Sequence, residues 1–257
     1  MSPTLTGPTA RRLLRAWDRQ QEGFHRAREA RFTAMLDVVE AELPRRFHAL
    51  DLGCGPGSLS LRLLRRFPRA DVVAVDRDPV GLAIGSAAIG RQGGRLTWVD
   101  ADLGAPGWTD LLPRARFDAA LSTTALHWLR PARLRQLYRD LYGRLGPGGV
   151  LLNGDHLTWP SGDPTITRLA QRVHRVRVRR APAQDPRTSW QDWWRRAEAT
   201  PGLEAAFVER RRRFSSYHPR QETADLAFHE RALHDAGFRH VYVVWQQFEN
   251  RVLLAIR

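Results

Sequence analysis

Short apolar segments alternate with segments of helical periodicity through the middle of the chain. Residues 47–52 and 71–76 are apolar almost without interruption, and residues 58–67 between them place apolar side chains at helical spacing. Strands that helices cover on both faces have such continuous apolar runs, whereas half-exposed strands alternate apolar and polar residues. The three segments therefore predict a βαβ unit whose two strands lie inside a parallel sheet.

The same alternation continues toward the C-terminus. A Gly-Pro-Gly-Gly turn at 146–149 is expected to end one helix and to reverse the chain before the next strand. The last two apolar segments are separated by only three residues, too few for a crossover helix, so these strands must pair antiparallel. The further predicted helices are 79–92, 131–145 and 224–236, and the further predicted strands are 95–99, 117–122, 149–153, 240–247 and 251–256.

Two regions flank or interrupt this α/β pattern. Residues 10–42 are predicted to be helical and to cover one end of the sheet. Residues 156–221 are too long for a connecting loop and contain four of the nine tryptophans, so they are predicted to form a helical lid. The expected organisation is an N-terminal helical cap at 1–45, a core made of 46–155 and 222–257, and a lid inserted at 156–221.

Length and composition indicate the setting in which the protein works. A chain of 257 residues can bury one large core. It contains no apolar segment of eighteen residues, residues 1–10 lack the pattern of a secretory signal, and Cys54 is its only cysteine. These features predict a soluble cytoplasmic protein without an internal disulfide or a metal site.

The net charge of +14 raises the question of an acidic partner, because clustered basic side chains bind phosphates. All 41 basic residues are arginine, which is also the result expected from the coding bias of a GC-rich genome, and we favour that explanation. Residues 156–221 contain fourteen arginines against six acidic residues. Most of these arginines are expected to form a solvated helix face.

The strongest candidate for chemistry is the turn at 51–57, Asp-Leu-Gly-Cys-Gly-Pro-Gly, between the first strand and its helix. Glycines at this place permit a tight turn and the close approach of a ligand. The spacing is G-x-G-x-G, whereas a dinucleotide fingerprint needs G-x-G-x-x-G. Asp76 ends the second strand, where its carboxylate can accept both hydroxyl hydrogens of a ribose. Asp102 follows the third strand, where it can accept from an adenine amino group beside the Leu103 N–H.

These residues resemble those of class I S-adenosylmethionine-dependent methyltransferases. Residues 49–58, Ala-Leu-Asp-Leu-Gly-Cys-Gly-Pro-Gly-Ser, are similar to the first motif of that family, 72–76 to the next motif and 101–103 to the adenine-side motif. Residues 117–129 and 145–152 are similar to the fourth-strand region and the turn before the fifth strand in small-molecule enzymes of the trans-aconitate and ubiquinone-biosynthesis types. The resemblance implies an α/β, Rossmann-like, seven-stranded sheet of order 3-2-1-4-5-7-6 with the last strand antiparallel.

The resemblance covers residues 47–154 and, less closely, 224–257. It implies that S-adenosyl-L-methionine is the cofactor and S-adenosyl-L-homocysteine the product. Within the cap, Arg28 is a candidate to counter the carboxylate at the methionine end of the cofactor. The candidate cofactor-binding residues are Arg28, Asp51, Gly53, Cys54, Gly55, Gly57, Asp76, Arg77, Asp102, Leu103, Ser122 and Thr123.

Two histidines are candidate catalytic residues that would remove a proton from an acceptor. His127 follows the fourth strand and His156 the fifth, at the edge of the sheet where open α/β folds bind ligands. We prefer His156 because Asp155 stands beside it. The alternative for His127 and Trp128 is that they cap the next helix or shape the cofactor pocket. A tryptophan-rich lid would dry the pocket, which favours methyl transfer from a sulfonium to an anionic nucleophile.

Three functions fit the sequence. The favoured one is in-line methyl transfer to a small-molecule metabolite, because residues 122–125, Ser-Thr-Thr-Ala, differ from the Asn/Asp-Pro-Pro-aromatic tetrapeptide of base-amino methyltransferases that act on nucleic acid. The first alternative is a nucleic-acid (rRNA or tRNA) or ribonucleoprotein methyltransferase whose Arg-rich lid contacts phosphates. The second is an inactive cofactor-binding partner or sensor. No membrane partner is expected, and the chain is expected to be a monomer or a homodimer.

Overall fold

The computed structural model describes residues 4–24, 27–159, 164–180, 189–215 and 224–257. Within these ranges, seven strands form one sheet with α-helices on both faces. The strands are β1 (His48–Leu52), β2 (Asp71–Asp76), β3 (Leu96–Asp100), β4 (Phe117–Thr123), β5 (Leu145–His156), β6 (His240–Gln247) and β7 (Asn250–Ile256). The helices are α1 (Gly7–Phe24), α2 (Arg28–Glu42), α3 (Ser58–Arg66), α4 (Pro79–Ile89), α5 (Pro131–Arg144), α6 (Pro164–Arg180), α7 (Trp190–Glu198), α8 (Glu204–Phe214) and α9 (Leu226–Ala236).

The strand order is β3-β2-β1-β4-β5-β7-β6, which confirms the predicted fold class and topology. The pairs among β1 to β5 are parallel, whereas β7 is antiparallel to β5 and to β6. The C-terminal ends of the five parallel strands therefore meet at one edge of the sheet. Ligands of open α/β folds bind at this edge, so the loops that follow these strands form the candidate site.

The central strands are buried on both faces, which explains their continuous apolar sequences. In β1, Ala49 packs into a cluster that includes residues of α1 to α4, while Leu50 packs into a second cluster with residues of α5 and α9. Both side chains are fully buried. Successive residues of a strand point to opposite faces, so a strand between two helix layers carries apolar residues toward both of them.

The structure differs from the prediction at the turn between α5 and β5. The Gly-Pro-Gly-Gly sequence at 146–149 lies inside β5, as an irregularity between the Phe117–Leu145 and Ala119–Val150 pairs. Gly148 has a φ of +73°, in the left-handed region. The helix ends at Arg144 and the strand begins with the next residue, so β5 extends beyond the predicted 149–153 at both ends.

The region predicted as a helical cap contains two helices, α1 and α2. Between them Ala27 has a left-handed φ of +69°, which ends any continuous helical path at that residue. Helix α1 packs against α4 and α7, whereas α2 packs against β5 and β7. Among the described residues, no helix combines the length and apolar character needed to cross a membrane.

Helices α6, α7 and α8 occupy the described parts of the region predicted as a lid. Helix α7 is joined to α1 by a cluster of indole rings, in which the ring of Trp17 lies 5.6, 4.7 and 6.4 Å from those of Trp190, Trp193 and Trp194. Trp193 is buried and its Nε1 donates to the Leu13 carbonyl at 3.1 Å. The tryptophans of α7 therefore pack against α1, with Trp193 buried between the helices and Trp190 at the exposed margin.

Candidate active site

The glycine-rich turn connects β1 to α3 at the C-terminal edge of the sheet. Gly53 has a φ of +67°, and a Cβ at that position would lie only 2.3 Å from the Ala125 Cβ. Any larger residue would be strained and would also collide with the loop after β4. Backbone conformation and close packing therefore both require glycine at position 53.

Four N–H groups of the turn donate hydrogen bonds within the protein. The pairs are Gly53 N and Cys54 N to Val75 O at 2.8 and 3.0 Å, Gly55 N to Asp76 Oδ2 at 2.6 Å, and Gly57 N to Cys54 O at 2.9 Å. A turn that cradles a diphosphate must instead leave its N–H groups free for the phosphate oxygens. This geometry agrees with the G-x-G-x-G spacing in disfavouring a dinucleotide. Burial raises the pKa of the Cys54 thiol, so we expect that side chain to remain a neutral thiol.

Asp76 ends β2 directly beside this turn. Its carboxylate accepts from Gly55 N at 2.6 Å and from Asp78 N at 2.8 Å. Burial raises the pKa of Asp76 to about 6. Each carboxylate oxygen has a second lone pair, so the side chain can still accept two further hydrogens. Its place and its remaining acceptors match those expected of a ribose-binding acid.

Asp51 is fully buried and faces the first turn of α3. Its Oδ2 accepts from Ser60 N at 2.9 Å and from Ser60 Oγ at 2.6 Å, and burial raises its pKa to about 6. The first of these bonds satisfies an orphan N–H group at the start of the helix. Asp51 therefore connects β1 to α3 and fixes the glycine turn between them.

Asp102 and Leu103 follow β3, as the sequence suggested. The Asp102 carboxylate accepts from Arg77 Nη1 at 2.7 Å and from Gly104 N at 2.8 Å. The guanidinium of Arg77 also lies over the Phe214 ring, 4.5 Å from its centroid. Two residues predicted to bind the cofactor thus form an ion pair with each other at the ends of β2 and β3.

Ser122 and Thr123, at the end of β4, have different surroundings. Ser122 Oγ is buried and donates to the Leu52 carbonyl at 2.8 Å, so it ties β4 to β1. Thr123 Oγ1 is buried and has no hydrogen-bond partner within the described part of the chain. A buried polar atom without a partner is costly, which makes Thr123 the better candidate to contact a ligand.

His127 forms a histidine–carboxylate pair with Asp155. Its Nδ1 lies 2.8 and 3.0 Å from the two carboxylate oxygens, and its backbone N–H donates to Asp155 Oδ2 at 3.2 Å. Asp155 is fully buried, and the adjacent His127 holds the pKa of this carboxyl far below its usual range despite burial. The carboxylate thus fixes the orientation of the ring and leaves Nε2 as the nitrogen available to a ligand.

His156 does not share this arrangement, although it is next to Asp155 in sequence. Alternating residues of a strand point to opposite faces, so Asp155 and His156 project away from each other. Asp155 Oδ1 accepts from the backbone N–H of His156 at 2.8 Å. Burial lowers the pKa of the His156 imidazole. The geometry favours His127 as the base, the reverse of the preference drawn from the sequence.

Arg28 is buried at the start of α2 and is paired with a residue of α1. Its Nη1 donates to Asp18 Oδ1 at 2.9 Å, and the same oxygen accepts from Ser58 Oγ at 2.6 Å. Arg28 therefore links the cap to the first residue of α3, directly after the glycine turn. It approaches the site from the expected side, but it already has a carboxylate partner.

Helix α8 is attached to the ends of β2 and β3 by arginines. Arg213 donates to both oxygens of Asp100, with Nη2 at 2.8 Å from Oδ2, and to the Arg77 carbonyl at 3.0 Å. Arg210 Nε donates to Asp78 at 2.8 Å, and its guanidinium lies 4.0 Å from the centroid of the Trp194 ring. The last turns of α8 therefore lie over the loops that carry the two candidate carboxylates.

The attachment of α8 can be tested with two neighbouring arginines. Arg213→Ala is expected to lower the melting temperature by about 2–4 °C, because two partly exposed ion pairs together contribute about 1 kcal/mol in a protein of this size. Arg212→Ala is the matched control, since the ion pair of Arg212 is with Glu209 in its own helix. Differential scanning fluorimetry measures both shifts, and equal shifts would contradict the attachment.

Part of this chain is similar in sequence to known proteins. Residues 49–149 match the family described as a methyltransferase domain. The trans-aconitate 2-methyltransferase of Streptomyces avermitilis is 36% identical over 139 residues, which are 53% of this chain and 49% of that protein. The protein of the same name from Methylobacterium radiotolerans is 38% identical over 117 residues, 46% of this chain and 40% of that protein.

The family match runs from β1 into β5 and is a similarity to a methyltransferase domain over the central part of the chain. The matched part of the chain spans about half the length of the curated relatives. Two solved structures share the fold of the domain at low sequence identity. Human N-acetylserotonin methyltransferase in complex with SAM has a TM-score of 0.53 and 16% identity, covering 96% of this chain and 55% of that one. PigF with SAH has a TM-score of 0.50 and 15% identity, covering 82% and 50%.

Near the candidate site, the structure identifies residues that the sequence did not single out. Asp155 was noted only as a neighbour of His156, and Asp18 and Arg31 were not named at all. Asp18 accepts from Arg28 and Ser58, while Arg31 is fully buried beside β5 and β7. The sequence contains a weak signal for Arg31, because this arginine falls on the same helical face as the apolar Met35.

Proposed function

We propose that the chain is an S-adenosylmethionine-dependent methyltransferase that acts on a small molecule. The observation that carries this proposal is a glycine turn with four internally bonded N–H groups, flanked by Asp76 and Asp102 at the tips of neighbouring strands. Such a turn has few donors left for phosphate, while carboxylates match ribose hydroxyls and an adenine amino group. The names of the relatives and the ligands of the two solved structures support this cofactor and this class of acceptor.

The residues present fit the groups of this cofactor. Asp76 would accept from the ribose hydroxyls, and Asp102 with the Leu103 N–H would contact adenine. The Thr123 hydroxyl at the end of β4, buried and without a described partner, would bond to a polar group of the ligand. When bound, the sulfonium supplies a methyl group that is already activated for transfer. The protein's main contribution is to position the acceptor in line with that methyl group.

His127 is the proposed general base. Asp155 holds the proton on Nδ1, so Nε2 can accept the proton of an acceptor hydroxyl or amine. About a third of the His127 side chain is exposed, and the ring borders the exposed Trp128. The base is therefore rigidly oriented on one side and accessible on the other.

We also propose the division into a cap at 1–45, a core at 46–155 and 222–257, and a lid at 156–221. The packing of α7 on α1 and the ion pairs from α8 to the ends of β2 and β3 support it. The ion pairs of α8 place this helix beside the strand ends that carry Asp76 and Asp102. The single cysteine supports a reducing, cytoplasmic setting.

The arginines of α8 favour a small acceptor over nucleic acid. Each of the four consecutive arginines in this helix has a carboxylate partner within the protein. The pairs are Arg210 with Asp78, Arg211 with Glu198, Arg212 with Glu209, and Arg213 with Asp100 and Glu209. Phosphate binding would have to compete with these internal pairs.

Calorimetry with the full chain tests the cofactor, and transfer of a radioactive methyl group tests the acceptor. We expect S-adenosylmethionine and S-adenosylhomocysteine to bind with dissociation constants between about 1 μM and 1 mM. Label should pass to members of a panel of small acids, alcohols and amines that includes trans-aconitate. Absence of heat with both ligands would refute the proposal, whereas transfer to bulk tRNA alone would favour the nucleic-acid alternative.

A further inference from the structure

Arg31 of α2 is a fully buried arginine that crosses β5 at a glycine. A Cβ on Gly154 would lie 2.9 Å from the Arg31 Cδ and 3.0 Å from the Met35 sulfur. The absence of a side chain at 154 therefore makes room for the arginine stem against the strand. Lysine, glutamate and arginine are rarely buried to this extent unless their charged groups have partners.

The hydrogen bonds of Arg31 leave one edge of its guanidinium unused. Nη1 donates to Asn250 Oδ1 at 3.0 Å, whereas Nε and Nη2 are buried and have no partner in the described part of the chain. Nε and Nη2 lie on the same edge and present two parallel N–H groups, the geometry that binds a carboxylate through both oxygens. The asparagine thus fixes one side of the fork and leaves a bidentate site on the other.

No carboxylate of the described residues forms an ion pair with this guanidinium. Asp155 and Glu22 contribute attraction from a distance, while Arg28 contributes repulsion. Burial lowers the pKa of Arg31 to about 10, so the side chain remains a cation at neutral pH. A buried cation with two unused donors destabilises the protein unless a ligand binds there.

The neighbouring polar atoms surround the same place at the edge of the sheet. Thr123 pairs with Gly154 in the register between β4 and β5, and its buried hydroxyl also has no partner among the described residues. His156 is two residues beyond Gly154 and shares its face of β5. It pairs with Asn250 in the register between β5 and β7. The unused edge of Arg31 is therefore close to other polar groups at the ends of β4 and β5.

We propose that Arg31 binds a carboxylate of the methyl acceptor through Nε and Nη2 and so selects acidic acceptors. This inference rests on the proposed function, because it assigns a role within the same site. Carboxylates occur in both the acceptor and the methionine part of the cofactor. The acceptor is favoured because Arg31 contacts β5, two strands and about 10 Å from the glycine turn on β1, and β7, which is one strand further away. Arg28, one turn earlier, is the arginine linked to that turn.

The test measures two dissociation constants for each variant. S-adenosylhomocysteine is titrated first, and trans-aconitate, citrate, malate and their methyl esters are then titrated into the complex. Arg31→Met should keep S-adenosylhomocysteine binding within twofold and weaken the tightest free acid by at least about 50-fold, because both bonds of a charged bidentate pair are lost. Arg31→Lys keeps the positive charge but loses the two parallel N–H groups of the guanidinium. We expect it to weaken binding of the same free acid by about tenfold.

Arg251→Met is the matched control, since Arg251 is an equally buried arginine whose guanidinium is bonded to Gln246 and the Leu157 carbonyl. This variant should bind the free acids as the unmodified chain does. If Arg31→Met lowers S-adenosylhomocysteine affinity instead, the carboxylate belongs to the cofactor and the proposal is wrong. If the unmodified chain binds S-adenosylhomocysteine but binds esters as tightly as free acids, or none of the acids, the proposal fails while the proposed function stands.

Discussion

Asp76→Ala is expected to weaken the binding of S-adenosylhomocysteine by about 100-fold or more. The substitution removes the proposed acceptor of two ribose hydroxyls, and a hydrogen bond to a charged group contributes about 1.5–3 kcal/mol. It also releases Gly55 N and Asp78 N, which the carboxylate holds in the free protein. Isothermal titration calorimetry at constant ionic strength measures the change.

Asp76→Asn separates the loss of the negative charge from the loss of the side chain, because its amide oxygen can still accept a hydrogen bond. We expect it to weaken binding about tenfold and to leave the melting temperature close to that of the unmodified chain. Unchanged affinity in both variants would show that no ribose contacts this residue, and the proposed function would then lose its main support.

The pH dependence of binding gives a second measure of the same carboxyl. Burial raises the pKa of Asp76 to about 6, above the ordinary value of about 3.9. Its contribution to folding stability is therefore greatest below pH 4 and is lost as the pH rises through 6. Binding of a ribose to the ionised form has the opposite dependence, so affinity should fall as the pH drops through 6. Asp76→Asn should flatten this dependence, and an unchanged slope would assign it to another group.

His127→Ala is expected to lower kcat by about 100-fold to 10,000-fold, the usual contribution of a positioned general base. Its affinity for S-adenosylhomocysteine should stay within twofold, because the side chain serves the acceptor. The measurement uses the acceptor that the methyl-transfer panel identifies, with kcat and the dissociation constant determined separately. A similar rate in this variant would remove His127 from the chemistry.

Three controls define the role of the ring. Added imidazole should restore part of the rate of His127→Ala, since a small base can occupy the space of the lost side chain. Asp155→Asn should also lower kcat, because Asp155 is a positioning residue that sets the tautomer of His127. His156→Ala should change kcat by less than tenfold. A larger loss there than in His127→Ala would restore the preference drawn from the sequence.

The sheet could be predicted because each central strand carries its own signal. Burial on both faces makes the middle of β1 and of β2 continuously apolar, and the turn before β7 is too short for any pairing except antiparallel. The carboxylates at the ends of β2 and β3 were predictable for the same reason, since they follow directly from the strand ends. The local sequence was sufficient to predict the strands and the residues directly after them.

The remaining features depend on contacts between distant parts of the chain. Arg31 and Asn250 are 219 positions apart, and Arg213 and Asp100 are 113 apart, so neither pair has a local signature. The choice between His127 and His156 depends on which face of β5 carries Asp155. A shift of one residue in the predicted strand reverses that assignment. The extra length of β5 was missed because the glycines and proline at 146–149 normally end a strand.

Helices α7 and α8 are attached to the rest of the protein by contacts of two physical kinds. Indole rings join α7 to α1, whereas ion pairs of Arg210 and Arg213 join α8 to the ends of β2 and β3. Dissolved salt screens partly exposed charges but does not weaken the burial of aromatic rings. Rising ionic strength should therefore weaken the contact of α8 with the ends of β2 and β3, beside the proposed adenine site, and leave the contact of α7 with α1 unchanged. Salt would then alter cofactor exchange on the adenine side only.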